Sequence, residues 1–321
     1  MQSRFTSLRV FVLVLLVGVS ASACGKYSIG NLRMLMSFKE GNVLYGKADF
    51  TKAAQSYEEA VKHNPDFGIV YFFLANSYDN LSTKSSGDAR EELLQKAVDN
   101  YNKAITVIKD EEPSGAQIRK LSYEYLIAAY GPDKLNDFTH AEPIAKKLIE
   151  MEPSEPSNYR TMGDLYEKQG MYEEAEAYFL KSVEVRPTDA LGFSVLAGYY
   201  NRQGNFEKTM EAWENRAKAE PNNPEAHHTI AHWLWEKAFK DYTITNAQKR
   251  AFIERALAAE DTALGLHADY VEALTYKNIL LRMKAGMERD RKVIDALIAE
   301  ADRLRNRAME LSKAQAAGGG I

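Results

Sequence analysis

Residues 153–187 read PSEPSNYRTMGDLYEKQGMYEEAEAYFLKSVEVRP, and this stretch decides the fold. Within it Tyr159, the large-small pair Met162-Gly163, Tyr166, Gly170, Ala175, Phe179 and Pro187 follow one another in a fixed order. The order returns 34 residues later: Pro153, Pro187 and Pro221 are separated by 34 and 34. Tyr159 pairs with Phe193, Gly170 with Gly204, Tyr172 with Phe206 and Phe179 with Trp213 at the same interval. Met162-Gly163 recurs as Leu196-Ala197 and as Ile230-Ala231, and Tyr166 as Tyr200 and Leu234. So many coincidences at one period identify a repeat architecture.

An aromatic, a large-small pair, a second aromatic, a glycine turn, an alanine, an aromatic and a closing proline resemble the tetratricopeptide repeat, a helix–turn–helix unit. The resemblance implies an all-α, right-handed superhelical solenoid. Each residue type has a mechanical reason. The small Gly163 or Ala197 lets two helices approach, and flanking aromatics fill the space beside it. Gly170 and Gly204 fall where the first helix must stop in a left-handed cap conformation. The prolines close the second helix.

Weaker copies extend both ways. Gly41, Leu44, Phe50, Ala53, Tyr57, Ala60 and Pro65 form one. Leu74-Ala75 and Tyr78 with Ala97, Tyr101 and Ala104 form another, interrupted by a polar stretch, 81–88, read as a loop. Leu126-Ile127, Tyr130, Ala141 and Pro153 form a third, with an insertion at Gly131-Pro132-Asp133. A sixth unit begins at His227 and is padded over 240–248 before a second helix over 251–266. The solenoid is thus expected over 34–287, with about six repeats and a degenerate seventh. Ile294, Leu297, Ile298, Ala301, Leu304, Ala308 and Leu311 make one apolar stripe on a charged helix, 288–312. That stripe reads as a cap on the last repeat, with a partner-docking helix as the alternative; it permits self-pairing without requiring it. Residues 313–321, ending in three glycines, are expected to be a disordered tail.

The N-terminal 23 residues read as a targeting segment. Arg4 and Arg9 precede an apolar run over 10–19, about half the length of a spanning helix. Ala21-Ser22-Ala23-Cys24 resembles the lipobox of bacterial lipoproteins, with Ala21 where leucine is usual. The resemblance implies a signal peptide over 1–23, acylation at Cys24 and a short tether over 24–33. Gly25, where an aspartate would favour the inner membrane, implies the outer membrane facing the periplasm. Cys24 is the only cysteine, so an internal disulfide is excluded.

Removing two arginines leaves 39 basic against 45 acidic residues, a net charge of −6. That balance argues against a nucleic-acid partner and against a polybasic membrane footprint. No glycine-rich phosphate loop and no nucleophile–base grouping stands out, so neither catalysis nor a cofactor is expected. The expected partners are proteins or peptides of the cell envelope.

The family resemblance implies a concave groove lined by the first helix of each unit. Carried over, it is lined by Phe38, Asn42 and Tyr45, then Phe72 and Asn76, then Arg160, Asp164, Asn201 and Arg202, then His228, His232 and Trp235. Phe38, Tyr45, Phe72 and Trp235 are the expected peptide anchors, with packing against neighbouring helices as the alternative. Asn42 and Asn76 suit the family's clamp for acidic chaperone tails, but Phe38 stands at its lysine place and Phe73 at another asparagine place, so that clamp is not expected. His228 and His232, four residues apart, share a helix face that could reach a metal if Glu225 or Asp261 joined them. A groove that is neutral at pH 7 and cationic below about 6 is the favoured reading of the pair. Two readings compete with a dedicated scaffold: a broad-specificity holdase using the aromatic end, and a metal-binding protein.

Overall fold

A computed structural model describes residues 29–109 and 114–318, and these contain helices and no strand. The targeting segment and Cys24 lie outside the described residues, as do 319–321 of the expected tail. The helices fall into two units, described separately. Unit 1 holds α1 (Ile29–Gly46), α2 (Phe50–His63), α3 (Gly68–Ser82), α4 (Gly87–Val107) and α5 (Gly115–Tyr130, as far as Ala129), with residues 133–135. Unit 2 holds residues 130–132 and then α6 (Phe138–Met151), α7 (Pro156–Lys168), α8 (Tyr172–Val185), α9 (Ala190–Arg202), α10 (Phe206–Ala219), α11 (Pro224–Lys240), α12 (Asn246–Leu266), α13 (Val271–Ala285) and α14 (Arg291–Gly318). Antiparallel partners are α1/α2, α3/α4, α7/α8, α9/α10, α11/α12 and α13/α14. The architecture is an all-α repeat solenoid.

Short-range chemistry starts and stops these helices. Asp49, Asp137 and Asn205 accept from the backbone N–H three residues on, at 3.2, 3.2 and 3.1 Å. Thr245 and Gln248 form a reciprocal capping box at the start of α12. Pro156 and Pro224 open α7 and α11, where a missing N–H costs nothing. Gly170 and Gly204 take φ of +74° and +70° between the helices of two successive pairs, the left-handed conformation expected of them. Gly163 needs its missing side chain for a different reason: a Cβ there would lie 2.6 Å from the Phe179 ring. The close crossing of α7 and α8 rests on that contact.

The two insertions behave differently from the expectation. Only 83–86 separate α3 from α4, and α4 is 21 residues long against 14 for α8. Likewise α12 starts at Asn246 and runs for 21 residues. The extra residues lengthen α4 at its N-terminal end, where 87–93 precede the first buried side chain, Leu94; from there Ala97, Val98, Tyr101 and Ala104 are buried at the repeat's usual spacing. The solenoid also begins earlier, since α1 starts at Ile29, inside the expected tether. Helix α14 carries the backbone to Gly318, past the expected boundary at 312.

The apolar stripe on α14 is engaged. Ala301 and Ala308 are buried, and Leu297 and Leu304 pack on a core that includes Leu280 and Leu281 of α13. Arg282–Asp302 at 2.6 Å and Lys277–Glu300 at 3.1 Å tie the same two helices. This is the geometry of a cap, and it leaves the docking alternative without its apolar face.

Candidate partner-binding surface

The first-helix positions of unit 1 are closed. Phe38 packs 5.6 Å from both Phe67 and Phe73 and 5.9 Å from Tyr57. Phe72 is only 7% exposed and sets its ring 5.6 Å from Tyr125, edge to face. Tyr45 donates its hydroxyl hydrogen bond to Asn76 Oδ1, and its phenol is pushed up to about 12, by burial first. Asn76 in turn donates to the Tyr101 hydroxyl at 3.4 Å, and Asn42 accepts from Tyr57 at 2.8 Å. Lys134 reaches both oxygens of the buried Asp79 at 2.5 and 2.7 Å, joining residues 133–135 to α3. Phe72 is thus buried, and Phe38 and Tyr45 are half-buried against neighbouring helices, the packing alternative to their role as peptide anchors. These rings and amides pack between the helices of unit 1, where ring contacts and the Tyr45–Asn76 and Tyr57–Asn42 hydrogen bonds offset the cost of taking them out of water.

In unit 2 the equivalent positions on α7 and α9 are polar and more open. Arg160 pairs with Asp189 at 2.6 Å, both mostly buried, and fixes the start of α9. Arg202 grips Glu167 with two hydrogen bonds of 2.7 Å, a bidentate link from α9 to α7. Asp164 and Asn201 are exposed. Although one side of Asp164 meets solvent, the surrounding helix walls withdraw enough water to push its carboxyl upward. Glu167 pushes the same way, while Lys168, Arg202 and Arg160 oppose.

On α11 the expected residues meet a partner that the sequence reading missed. His228 Nδ1 shares a 2.9 Å hydrogen bond with Glu260 Oε1 of α12. Glu260 is fully buried, its other oxygen has no hydrogen-bond partner, and its pKa is raised, by desolvation first. His232 Nδ1 lies 3.0 Å from the Tyr276 hydroxyl. Its pKa is lowered, by desolvation first, with Glu236 opposing, so it takes up a proton at lower pH than an open groove histidine would. The suggested third metal ligands are engaged elsewhere: Glu225 with Arg216 at 3.1 Å and Asp261 with Lys277 at 2.7 Å. Among the described residues no three His, Cys, Asp or Glu side chains converge as a metal site would require. Trp235 stacks on the exposed Phe239 at 5.5 Å and sets its edge on Tyr276 at 5.1 Å. A signal for Glu260 was present in the sequence. It interrupts the stripe Ile253, Ala256, Leu257 and Ala263, whose members are all buried.

Family models described as tetratricopeptide repeat match residues 38–105 and 158–189. Among solved structures, the chain resembles the C-terminal part of a TPR repeat-containing protein from Cytophaga hutchinsonii. The identity is 15% and the TM-score 0.54, over 85% of this chain and 98% of that one. A tetratricopeptide repeat protein from Parabacteroides merdae is 16% identical at a TM-score of 0.46, over 84% and 99% of the two chains. YrrB, a TPR protein with an unusual peptide-binding site, is 20% identical at a TM-score of 0.40, over 60% and 89%. No curated protein matches the chain. The likeness to the first structure speaks for the fold alone. The two matched segments, read with the 34-residue period, the paired helices and the left-handed turn glycines, place this chain in the tetratricopeptide-repeat family.

Proposed function

We propose that the chain is a non-catalytic scaffold of the cell envelope that binds a protein or peptide partner along the first-helix face of unit 2. In this reading it is held at the membrane, facing the periplasm, by an acylated Cys24. The observation that carries the binding face is the contrast between the closed positions of unit 1 and the open Asp164 and Asn201 of unit 2. The tether is supported by the residues before Cys24, which resemble a lipobox. Several acyl chains on one cysteine hold a protein stably, where one chain holds it marginally. The holdase reading relied on open aromatic rings at the N-terminal end, and those rings are packed inside unit 1.

The test is photo-crosslinking in cells from Asp164 and Asn201, with Glu173 on the exposed side of α8 as control. One dominant envelope protein captured from the first two positions supports the reading. Equal capture from Glu173, or a smear of unrelated exported chains, overturns it. Cys24→Ser should move the protein from the membrane fraction to the soluble fraction.

A further inference from the structure

Helix α1 is apolar on two opposite sides. Met34, Phe38, Gly41, Leu44 and Tyr45 face the core of unit 1. On the other side Ile29, Leu32, Leu35, Met36 and Val43 are 70, 49, 49, 72 and 51% exposed. Helix α1 thus carries five of the fifteen large exposed hydrophobic side chains of the described residues, while the other ten are scattered over longer stretches of chain. At 100° per residue, Ile29, Leu32, Met36 and Val43 fall within one narrow stripe along the helix. A second apolar side left exposed on a helix marks a surface that something else covers, and no described helix precedes α1.

We propose that this outward face of α1 lies on the membrane surface, with Ile29, Leu32, Met36 and Val43 set into the headgroup boundary. The inference rests on the Cys24 tether proposed above. Reach is the first argument: residues 24–29 span at most about 17 Å when fully extended. An acyl group in the bilayer therefore keeps the start of α1 within that distance of the headgroups. Charge is the second. Arg33 and Lys39 border the stripe on its two sides with Glu40, the one acid on α1, beside Arg33, and Lys26 lies just before it, whereas the chain as a whole is acidic. A local basic excess beside an apolar stripe suits an anionic interface. Size is the third. The stripe covers 14 residues of rise, about 21 Å, and a single helix face of that length offers a few hundred Å² per partner, short of the roughly 800 Å² per partner of a stable protein–protein interface. A lipid surface needs no such area once the tether supplies the local concentration.

The experiment uses the full acylated chain, in which Cys24 is blocked and no other thiol exists. Leu32→Cys, Met36→Cys and Lys103→Cys variants are each labelled with an environment-sensitive fluorophore. They are then reconstituted on vesicles of phosphatidylethanolamine and phosphatidylglycerol with brominated acyl chains. All three positions are exposed, so the melting midpoint should match that of the parent protein. The expected result is several-fold quenching at Leu32 and Met36 with none at Lys103. Unquenched labels on a chain that still floats with the vesicles would overturn the α1 assignment and leave the tether standing. A chain that stays off the vesicles would fail the tether and the assignment together. Labels shielded without lipid, with a doubled mass, would assign the face to a second copy instead.

Discussion

Unit 1 and unit 2 are built from the same repeat, yet they use the first-helix face in opposite ways. In unit 1 that face holds Phe38, Tyr45, Phe72 and Asn76, and every one of them is engaged by a neighbouring helix. On α7 and α9 of unit 2 it holds Arg160, Asp164, Asn201 and Arg202: Arg160 and Arg202 brace the helices, while Asp164, Asn201 and the Arg202 side chain remain exposed. The difference teaches that an aromatic residue at a groove position of a helical repeat closes the groove whenever the next helix can bury it. Burying a ring of this size is worth more than leaving it for a partner. Short polar side chains stay available because they gain little from burial.

The sharpest way to break this contrast is to remove a ring from unit 1. Phe72→Ala should destabilise the protein by about 3–5 kcal/mol in urea unfolding, as for other buried aromatics. A change in partner binding with unchanged stability would show that Phe72 is a contact residue after all. Next in size is Lys134→Ala, which strands the buried Asp79 carboxylate. Breaking a buried pair of this kind costs on the order of 3 kcal/mol, and Asp79→Asn in the same background should recover part of it. An additive double mutant would mean the pair is incidental.

The α11–α12 pair gives a mid-sized effect with a pH signature. His228→Ala leaves both Glu260 oxygens without a partner and should cost about 1–3 kcal/mol. Because burial raises the Glu260 pKa above its ordinary 4.5, its protonated form favours the folded state. Its contribution is therefore fully present below pH 4.5 and is lost as pH rises through the raised value. Glu260→Gln should remove that loss, so the variant gains stability relative to the parent as pH rises from 4.5. His232 works in the other direction: its pKa lies below the ordinary 6.5, so its contribution is present above 6.5 and lost as pH falls through the lowered value. His232→Gln should flatten the acid limb of the stability curve. Parallel pH curves for parent and variants would remove both assignments.

The smallest stability effects belong to the open face. Asp164→Asn and Arg202→Ala should each change stability by less than about 1 kcal/mol. If unit 2 is the binding face, Asp164→Asn weakens partner capture nonetheless. Capture unchanged by Asp164→Asn and by Asn201→Ala, with stability also unchanged, would move the search for the binding face elsewhere on unit 2.

Much of the fold was legible because the repeat imposes local rules. Turn glycines, the small residue opposite Phe179, the capping residues and the closing prolines each act within one unit, and their spacing alone exposes them. The insertions were less legible. A polar stretch such as 81–88 looks like a loop, whereas α4 already begins at Gly87, seven residues before its first buried side chain, Leu94. The candidate site was legible in position and largely illegible in state. Listing Phe72 or Asn76 as a groove residue follows from register; knowing that Tyr125 covers one and Tyr101 bonds the other requires contacts from helices 25 or more residues away. Glu260 lay in plain view on an apolar stripe, but its partner His228 is 32 residues upstream.

The period of 34, the pairing of helices and the family they define are properties of the chain read in order, since hydrophobic spacing and turn chemistry act between near neighbours. Which groove residues are closed, which carboxylate is stranded in the core and which side of α1 is left uncovered were decided only in three dimensions. Burial is a sum over every helix that packs against a side chain, and no spacing along one helix contains that sum.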